Sequence, residues 1–424
     1  MTPNPSIMKA VETLGYRVTV GDVATQAGLN IAEANQGLLV LASDVGGHLQ
    51  VAESGDIVYL FPKDFRTILK NKYFQLQLQE TWQKVWNIVF YLIRISFGII
   101  LIASIVLISI AIVIIITSLN NSDNDSRGDS DFKGGNFFVI PDIWWYLSPD
   151  YYSGNPSRRH QNNNQSNQQK SELNFLEAVF SFLFGDGNPN ADLEERRWQE
   201  IAAVINKNRG AIIAEQIAPY LDDIGETYQQ EYEDYMLPVL VKFNGKPQVS
   251  PDGELVYYFP ELQVKAAQKR QQKVAPFLQE LPWKFSKASS GQLILSGGLG
   301  CVNLIGALIL GAFLLDGTIA SEIGGLVGFV QGIYWLLLAY GIGFLAIPLV
   351  RYFWIQHRNR KISQRNRMRM ARTAILENQA PKLQKKLSYA KQFANQQYIT
   401  EQDVTYSTET DLLEQEVKKL TDTQ

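Results

Sequence analysis

Apolar and polar positions follow one another along this chain in three rhythms, and each predicts a different kind of element. From Ile7 to Tyr16 the apolar residues Ile7, Met8, Val11 and Leu14 recur at helical spacing. Val18-Thr19-Val20 then reads as a short strand, and Gly21 to Leu29 as a second, short helix. Asn30 is placed to N-cap a third helix over Ile31 to Ala42, Glu33 sits in the slot a capping box uses, and Gly46-Gly47 ends the helix. His48 to Val51 and Asp56 to Phe61 are β-rich runs joined through Ser54-Gly55, a hairpin signal. Helix, strand, helix, helix, hairpin is the order of a winged helix, so residues 1–65 form a first winged-helix-like unit.

The hairpin recurs without a gap 198 residues later: Gly47 to Pro62 aligns with Gly245 to Pro260, with eight of sixteen positions identical. The turn glycines Gly55 and Gly253 match, and so do the endings that supply the wing core, Val58, Tyr59 and Phe61 against Val256, Tyr257 and Phe259. Upstream of the second hairpin, Trp198 to Lys207, Ala214 to Leu221 and Tyr228 to Leu240 read as helices, and Gly210 to Ile213 as a strand. Residues 191–262 are therefore read as a second winged-helix-like unit produced by internal duplication. Independent convergence of two hairpins on Gly and Tyr is the plainer alternative, and it leaves the ungapped match unexplained.

The third rhythm is the absence of charge. Ile95 to Leu119, Gly291 to Leu315 and Ile323 to Val350 contain no Asp, Glu, Lys or Arg, and each exceeds the roughly 20 residues that cross a hydrocarbon layer. Transmembrane helices are predicted over 86–119, 291–315 and 323–350, with an amphipathic connector at 66–85 and a basic one at 263–290. Residues 120–172 read as a polar linker containing an aromatic run, Phe137 to Tyr152, and 173–190 as a short apolar interfacial helix. Those rings either anchor at the membrane interface or pack on the winged units. The link between the last two spans is short enough to force an antiparallel hairpin. Gly324, Gly328 and Gly332 on one helix, and Gly300 and Gly311 on the other, offer small faces for close packing, within the hairpin or between protomers. The expected architecture is a mainly α membrane protein with α+β soluble parts: two winged-helix-like units, about three transmembrane helices and a helical C-terminal tail.

Composition narrows the chemistry. The 424 residues have a formal net charge of -3 and contain one cysteine, Cys301, and three histidines, His48, His160 and His357. That excludes a disulfide framework, a Cys-ligated zinc or iron-sulphur site and a His-rich metal cluster. No Gly-rich turn ends in Lys-Ser/Thr; the glycine run Gly297-Gly298-Leu299-Gly300 lies in an apolar span. No Ser/His/Asp set is credible. No catalytic, cofactor-binding or metal-binding residue is assigned, no cofactor is expected, and the chain reads as non-enzymatic. Asn303 and Gln331 are the polar residues nearest the apolar layer, too few for a transport path.

Charge placement bears on partners and sidedness. Between Arg17 and Lys63 there is no Lys or Arg, and the stretch between Arg209 and Lys242 is equally free of them, while both are rich in Asp and Glu. Such surfaces repel a phosphate backbone, so nucleic acid is disfavoured and a membrane-associated protein partner is expected. Lys70, Lys72, Lys84 and Arg94 place the N-terminus on the cytoplasmic side. Arg351, Arg358, Arg360, Lys361, Arg365, Arg367, Arg369 and Arg372 suit an anionic leaflet and place the tail there as well. Three crossings cannot do both: either a middle apolar segment adds an extra crossing or a re-entrant element, or the first span does not cross simply, or one charge signal is overridden. Met1 to Lys9 lacks the pattern of a cleavable signal, so the first span is expected to be an uncleaved anchor. Thr373 to Gln397 and Asp411 to Leu420 read as polar helices of a 351–424 tail.

The Val-Tyr-x-Phe-Pro endings at Val58 to Pro62 and Val256 to Pro260, with Phe180-Ser181-Phe182-Leu183-Phe184-Gly185-Asp186-Gly187-Asn188-Pro189-Asn190 before the second unit, resemble an uncharacterised membrane protein family of cyanobacteria and plastids. The likeness runs over most of the chain after the first unit. Some plastid members are labelled iron-sulphur cluster biosynthesis proteins; a lone Cys301 inside a span departs from any cluster scaffold, and that activity is not carried over. The resemblance implies a thylakoid or plasma membrane and a part in the assembly or maintenance of a membrane complex. The expected function is a non-enzymatic integral membrane protein presenting tandem acidic winged units to a protein partner, with homo-oligomerisation open. A membrane-tethered winged-helix transcription regulator is the alternative.

Overall fold

The computed structural model describes residues 4–122, 173–225, 232–266, 274–315, 317–377 and 381–409. The aromatic run Phe137 to Tyr152 and the helix expected over Asp411 to Leu420 lie outside these. The chain folds into two compact units: a mixed unit of Met1–Trp82, Pro189–Pro282 and Arg360–Gln424, and a helical unit of Gln83–Asn188 and Trp283–Asn359.

In the mixed unit the first half is α1 (Pro5–Leu14), β1 (Arg17–Thr19), α2 (Val20–Ala27), α3 (Ile31–Val45), β2 (His48–Ala52), β3 (Ile57–Leu60) and α4 (Phe65–Lys72). Local chemistry sets these bounds. Asn4 caps α1 by accepting the Ser6 N–H at 2.9 Å with Pro5 in the first turn, and Gly15, at φ 88, stops it in the left-handed region that favours glycine. Thr19 and Asp22 form a reciprocal capping box on α2. Asn30 caps α3 through the Ala32 N–H at 2.9 Å, while Glu33 instead accepts from the Asn4 side chain. Ile7, Val11, Val23, Leu38, Leu41, Tyr59 and Phe65 close one core, each side chain contributing roughly 1.5–3 kcal/mol on burial.

The long α5 (Phe74–Ser122) and α6 (Phe175–Phe184) come next in the chain, and the second half of the mixed unit begins with α7 (Leu193–Lys207). There follow β4 (Ala211–Ile212), α8 (Ala214–Ile217), α9 (Leu237–Phe243), β5 (Lys246–Val249), β6 (Leu255–Tyr258), α10 (Pro260–Gln263) and β7 (Val264–Lys265). Its core gathers Ile201, Ile205, Ile217, Val239, Phe243, Tyr257 and Phe259. The two hairpins have the same register under the sequence offset: His48 faces Leu60 and Val51 faces Ile57 in one, Lys246 faces Tyr258 and Val249 faces Leu255 in the other. In both, the third strand lies antiparallel on the far side, giving orders β1-β3-β2 and β4-β6-β5.

The tail departs from the expected run of polar helices. The long helix α13 (Gly325–Glu377), which follows α11 (Ser290–Leu314) and α12 (Thr318–Ile323), ends at Glu377, and α14 (Pro381–Ala390) is short. Then β8 (Gln397–Tyr398) pairs parallel with β7, and β9 (Val404–Ser407) adds itself antiparallel to the outer edge of β2. The apolar positions Ile399 and Val404 close a small cluster with Ala52, Val58 and Ala266, a burial that a polar helix would forgo.

In the helical unit α5, α11 and α13 are each long and apolar enough to cross a membrane. The predicted connector at 66–85 is α4 plus the start of α5, which continues unbroken into the span. Ile108, Ile112 and Ile115 of α5 meet Leu310, Leu314, Val327 and Val330. α6 closes a second cluster through Phe175, Val179 and Leu183 against Leu101, Leu299 and Phe344. Ser104 Oγ donates to Asn303 Oδ1 at 2.7 Å, both side chains buried between helices. A Cβ at Gly300 would strike Phe344 and one at Gly311 would strike the Tyr334 hydroxyl, so these two glycines bring helices together. Gly324 and Gly332 face open space, and Gly328 meets only the Ala320 carbonyl at ordinary contact distance. Asp186 organises the end of α6: it accepts from Arg94 at 2.7 Å, from the Ser181 hydroxyl and from the Lys287 backbone N–H at 2.7 Å.

Candidate interaction groove

Within the mixed unit the two halves meet along α2. Gly21 lies so close to the Glu261 carbonyl that any side chain would displace it. Thr19 Oγ1 donates to the Val264 carbonyl at 3.1 Å, Asn206 Nδ2 donates to Thr25 Oγ1 at 3.0 Å, and Gln199 Nε2 donates to the Gln26 carbonyl at 3.1 Å. Asp22, the acid of the α2 capping box, also accepts the Ala266 N–H at 3.0 Å. Burial pushes its carboxyl above the usual range, against the pull of those hydrogen bonds and of Lys265.

Beside this seam opens a groove of about 500 Å³ between the start of α3, the first hairpin turn, α9 and α10. Its apolar lining includes Ile31, Ile57 and Val241; its polar lining includes Asn30, Asn35, Asn244, Asp56 and Glu261, with no Lys or Arg. Asn35 is held by the Tyr59 hydroxyl at 3.0 Å, and Asn244 donates to one Glu261 oxygen, leaving the other without a partner among the described residues. Val241 is 74% exposed and Leu237, one turn before it on α9, 59% exposed. An apolar ridge left in water beside uncompensated carboxylates can take an apolar side chain next to a cationic one.

The residues read as wing core and wing turns fall in the two hairpins. Val58, Tyr59, Phe61, Val256, Tyr257 and Phe259 are buried, and Gly55 and Gly253 close their turns at φ 86 and 82. They support the hairpins and do not line the groove, apart from Gly55. The basic run divides. Arg365 grips Glu280 with two hydrogen bonds. Arg369, only 1% exposed, bonds Asp222 and Glu280, and Arg372 donates to the Ala218 and Leu221 carbonyls at 3.1 and 2.7 Å. In the helical unit Arg351 donates to the Ser181 and Phe182 carbonyls at the end of α6, and Arg358 lies against Trp283 and Trp354. Arg360, Lys361 and Arg367 are exposed. Sequence reasoning missed the groove and also Lys386 of α14, which is buried and bonded to Glu215 at 3.0 Å and to Glu233.

Among the described residues no group of His, Cys, Asp and Glu could hold a metal ion. The chain aligns with an uncharacterised chloroplastic protein of Arabidopsis thaliana, 38% identical over 423 residues that take in 96% of this chain and 79% of the relative. No family model and no solved structure matches.

Proposed function

We infer that this chain, which belongs to the same family as that chloroplastic plant protein, is a membrane-held interaction protein whose groove receives a segment of a membrane-associated partner. The exposure of Val241 beside a groove walled by Asp56 and Glu261 carries this reading. The segment that fits combines an apolar side chain with a Lys or Arg.

The two halves are winged-helix-like in element order, and their common hairpin register supports a duplication. The helices that would read DNA are poorly equipped for it: α3 has no Lys or Arg, and Lys242, the one cation of α9, lies over the Trp198 ring at 4.6 Å. That favours a protein partner over the tethered-regulator reading.

Three apolar helices support a plastid membrane location. That Met1–Trp82, Pro189–Pro282 and Arg360–Gln424 fold into one unit supports the reading that they share a compartment, which in turn requires the stretch 83–188 to leave and return to the same side. The basic residues flanking the spans favour the stromal side, and a part in assembling or maintaining a membrane complex there is the role that the family resemblance implies. A photo-crosslinking amino acid at Val241 in native membranes tests the groove. A discrete adduct with one membrane protein, lost when Asp56 and Glu261 are both changed to Lys, supports the reading. No adduct, or salt-sensitive DNA binding that the same double change strengthens, overturns it.

A further inference from the structure

The mixed unit holds a second cavity, of about 360 Å³, where the end of α7 and the β4–α8 corner face the tail. Lys207, Arg209 and Lys391 line it and no carboxylate does. Two cations buried elsewhere in this unit are matched by acids, Arg369 by Asp222 and Glu280 and Lys386 by Glu215 and Glu233, whereas Lys207, Arg209 and Lys391 are exposed. Around this cavity, among the described residues, none of the three cationic side chains has an acidic partner. Three like charges gathered on one concave surface of a chain with net charge -3 raise the local potential and attract a counter-anion.

The walls are fixed. Arg209 adopts a left-handed backbone, φ 54, unusual for a non-glycine residue, and its carbonyl accepts the Asn395 N–H at 3.0 Å. The carboxamides are already engaged: Gln216 donates to Asn208 at 3.2 Å and accepts the Ile213 N–H at 3.1 Å, and Asn208 donates to the Val204 carbonyl at 2.8 Å. Recognition is left to charge, and the volume suits a small molecule rather than a polymer.

We propose that this cavity binds a small, multiply charged anion of the phosphate-ester class, and that the bound anion ties the tail, through Lys391, to the second half of the mixed unit. The site lies apart from the groove and stands independently of the partner reading.

The test is calorimetric titration of the full chain in detergent with inorganic pyrophosphate at fixed ionic strength, repeated on Lys391→Gln and Arg209→Gln. Saturable binding at one site, weakened roughly tenfold by each change, with slower amide exchange over 381–394 in the bound form, is the expected result. Unchanged thermal unfolding of the two unliganded variants separates loss of the site from loss of the fold. Absence of saturation, equal affinity in the variants, or a single-stranded oligonucleotide binding more tightly than pyrophosphate at every salt concentration would each overturn the proposal.

Discussion

Leu49 and Pro247 stand at equivalent register positions, opposite Tyr59 and Tyr257, and they give the two sheets different edges. The Leu49 N–H donates to Thr408 Oγ1 at 2.9 Å and its carbonyl accepts the Thr408 N–H at 3.0 Å, which secures the chain just after β9. Pro247 has no N–H to offer. The Val249 carbonyl on that second edge accepts from the Tyr389 hydroxyl at 3.2 Å. One hairpin edge is thus built to receive a strand and the other is protected from one.

Exchanging these residues should exchange the behaviour. Leu49→Pro removes one hydrogen bond, worth about 1 kcal/mol, and amide exchange at Tyr406 and Thr408 should quicken while α1 keeps its protection. Pro247→Leu should produce concentration-dependent association, read by light scattering. Unaltered exchange in the first variant and a monodisperse second would contradict this account of the edges.

Lys386 holds α14 to the second half by facing Glu215 and Glu233 from a buried position, with the Tyr257 hydroxyl also donating to Glu233 at 2.7 Å. Lys386→Met leaves two carboxylates uncompensated and should cost about 3–5 kcal/mol, the range for breaking a buried pair. Proteolysis within α14 should then be much faster than in the parent. A tail that stays resistant would mean the apolar contacts of Leu383 and Ala390 suffice.

Asp22 sets a pH dependence of definite sign. Burial raises its folded-state pKa above the ordinary carboxylate value. Its contribution is therefore fully present below that ordinary value and is lost as pH rises through the raised one. Asp22→Asn cannot ionise, so denaturation from pH 4 to pH 8 should show the parent losing ground to the variant as pH rises. A constant difference across the series would show that the carboxyl is not perturbed.

The acidic partners of Arg369 act in the opposite direction. Burial pulls Asp222 and Glu280 up, but the hydrogen bonds and charges of Arg369, with Arg197 on Asp222 and Arg365 on Glu280, hold both below the ordinary carboxylate range. Their stabilisation is present above the ordinary range and is lost as pH falls through the depressed values. Arg369→Met should destabilise the mixed unit at neutral pH by about 3–5 kcal/mol. It should also flatten the acid limb of the denaturation series; an acid limb as steep as the parent's would place the sensitivity elsewhere.

Elements whose determinants are local were legible in the sequence. Asn30, Gly46 and Gly55 announce a cap, a stop and a turn because each acts within a few residues. β9 was not legible: four residues gain strand structure only from β2, some 350 positions earlier, and nothing local distinguishes them from a loop. The basic run showed its charge but not its partners: helical spacing puts Arg365, Arg369 and Arg372 on one face of α13, and only the carboxylates of Asp222 and Glu280 and the carbonyls of Ala218 and Leu221 opposite them reveal that this face is turned inward. Small-residue spacing likewise identified Gly300, Gly311 and Gly324 alike, and only the bulk opposite them, Phe344 and Tyr334 for the first two, decides which bring helices together. The groove had one faint signal, Leu237 and Val241 on the side of α9 away from Val239 and Phe243.

The central claim is that both halves and the tail form one unit in one compartment. Cysteines placed singly at Glu53, Asp252 and Gln402, all exposed, in a Cys301→Ala chain would be tested in sealed native membrane vesicles with an impermeant thiol reagent. All three positions should react from the same side and be protected from the other. Labelling of Glu53→Cys and Asp252→Cys from opposite sides would contradict the account.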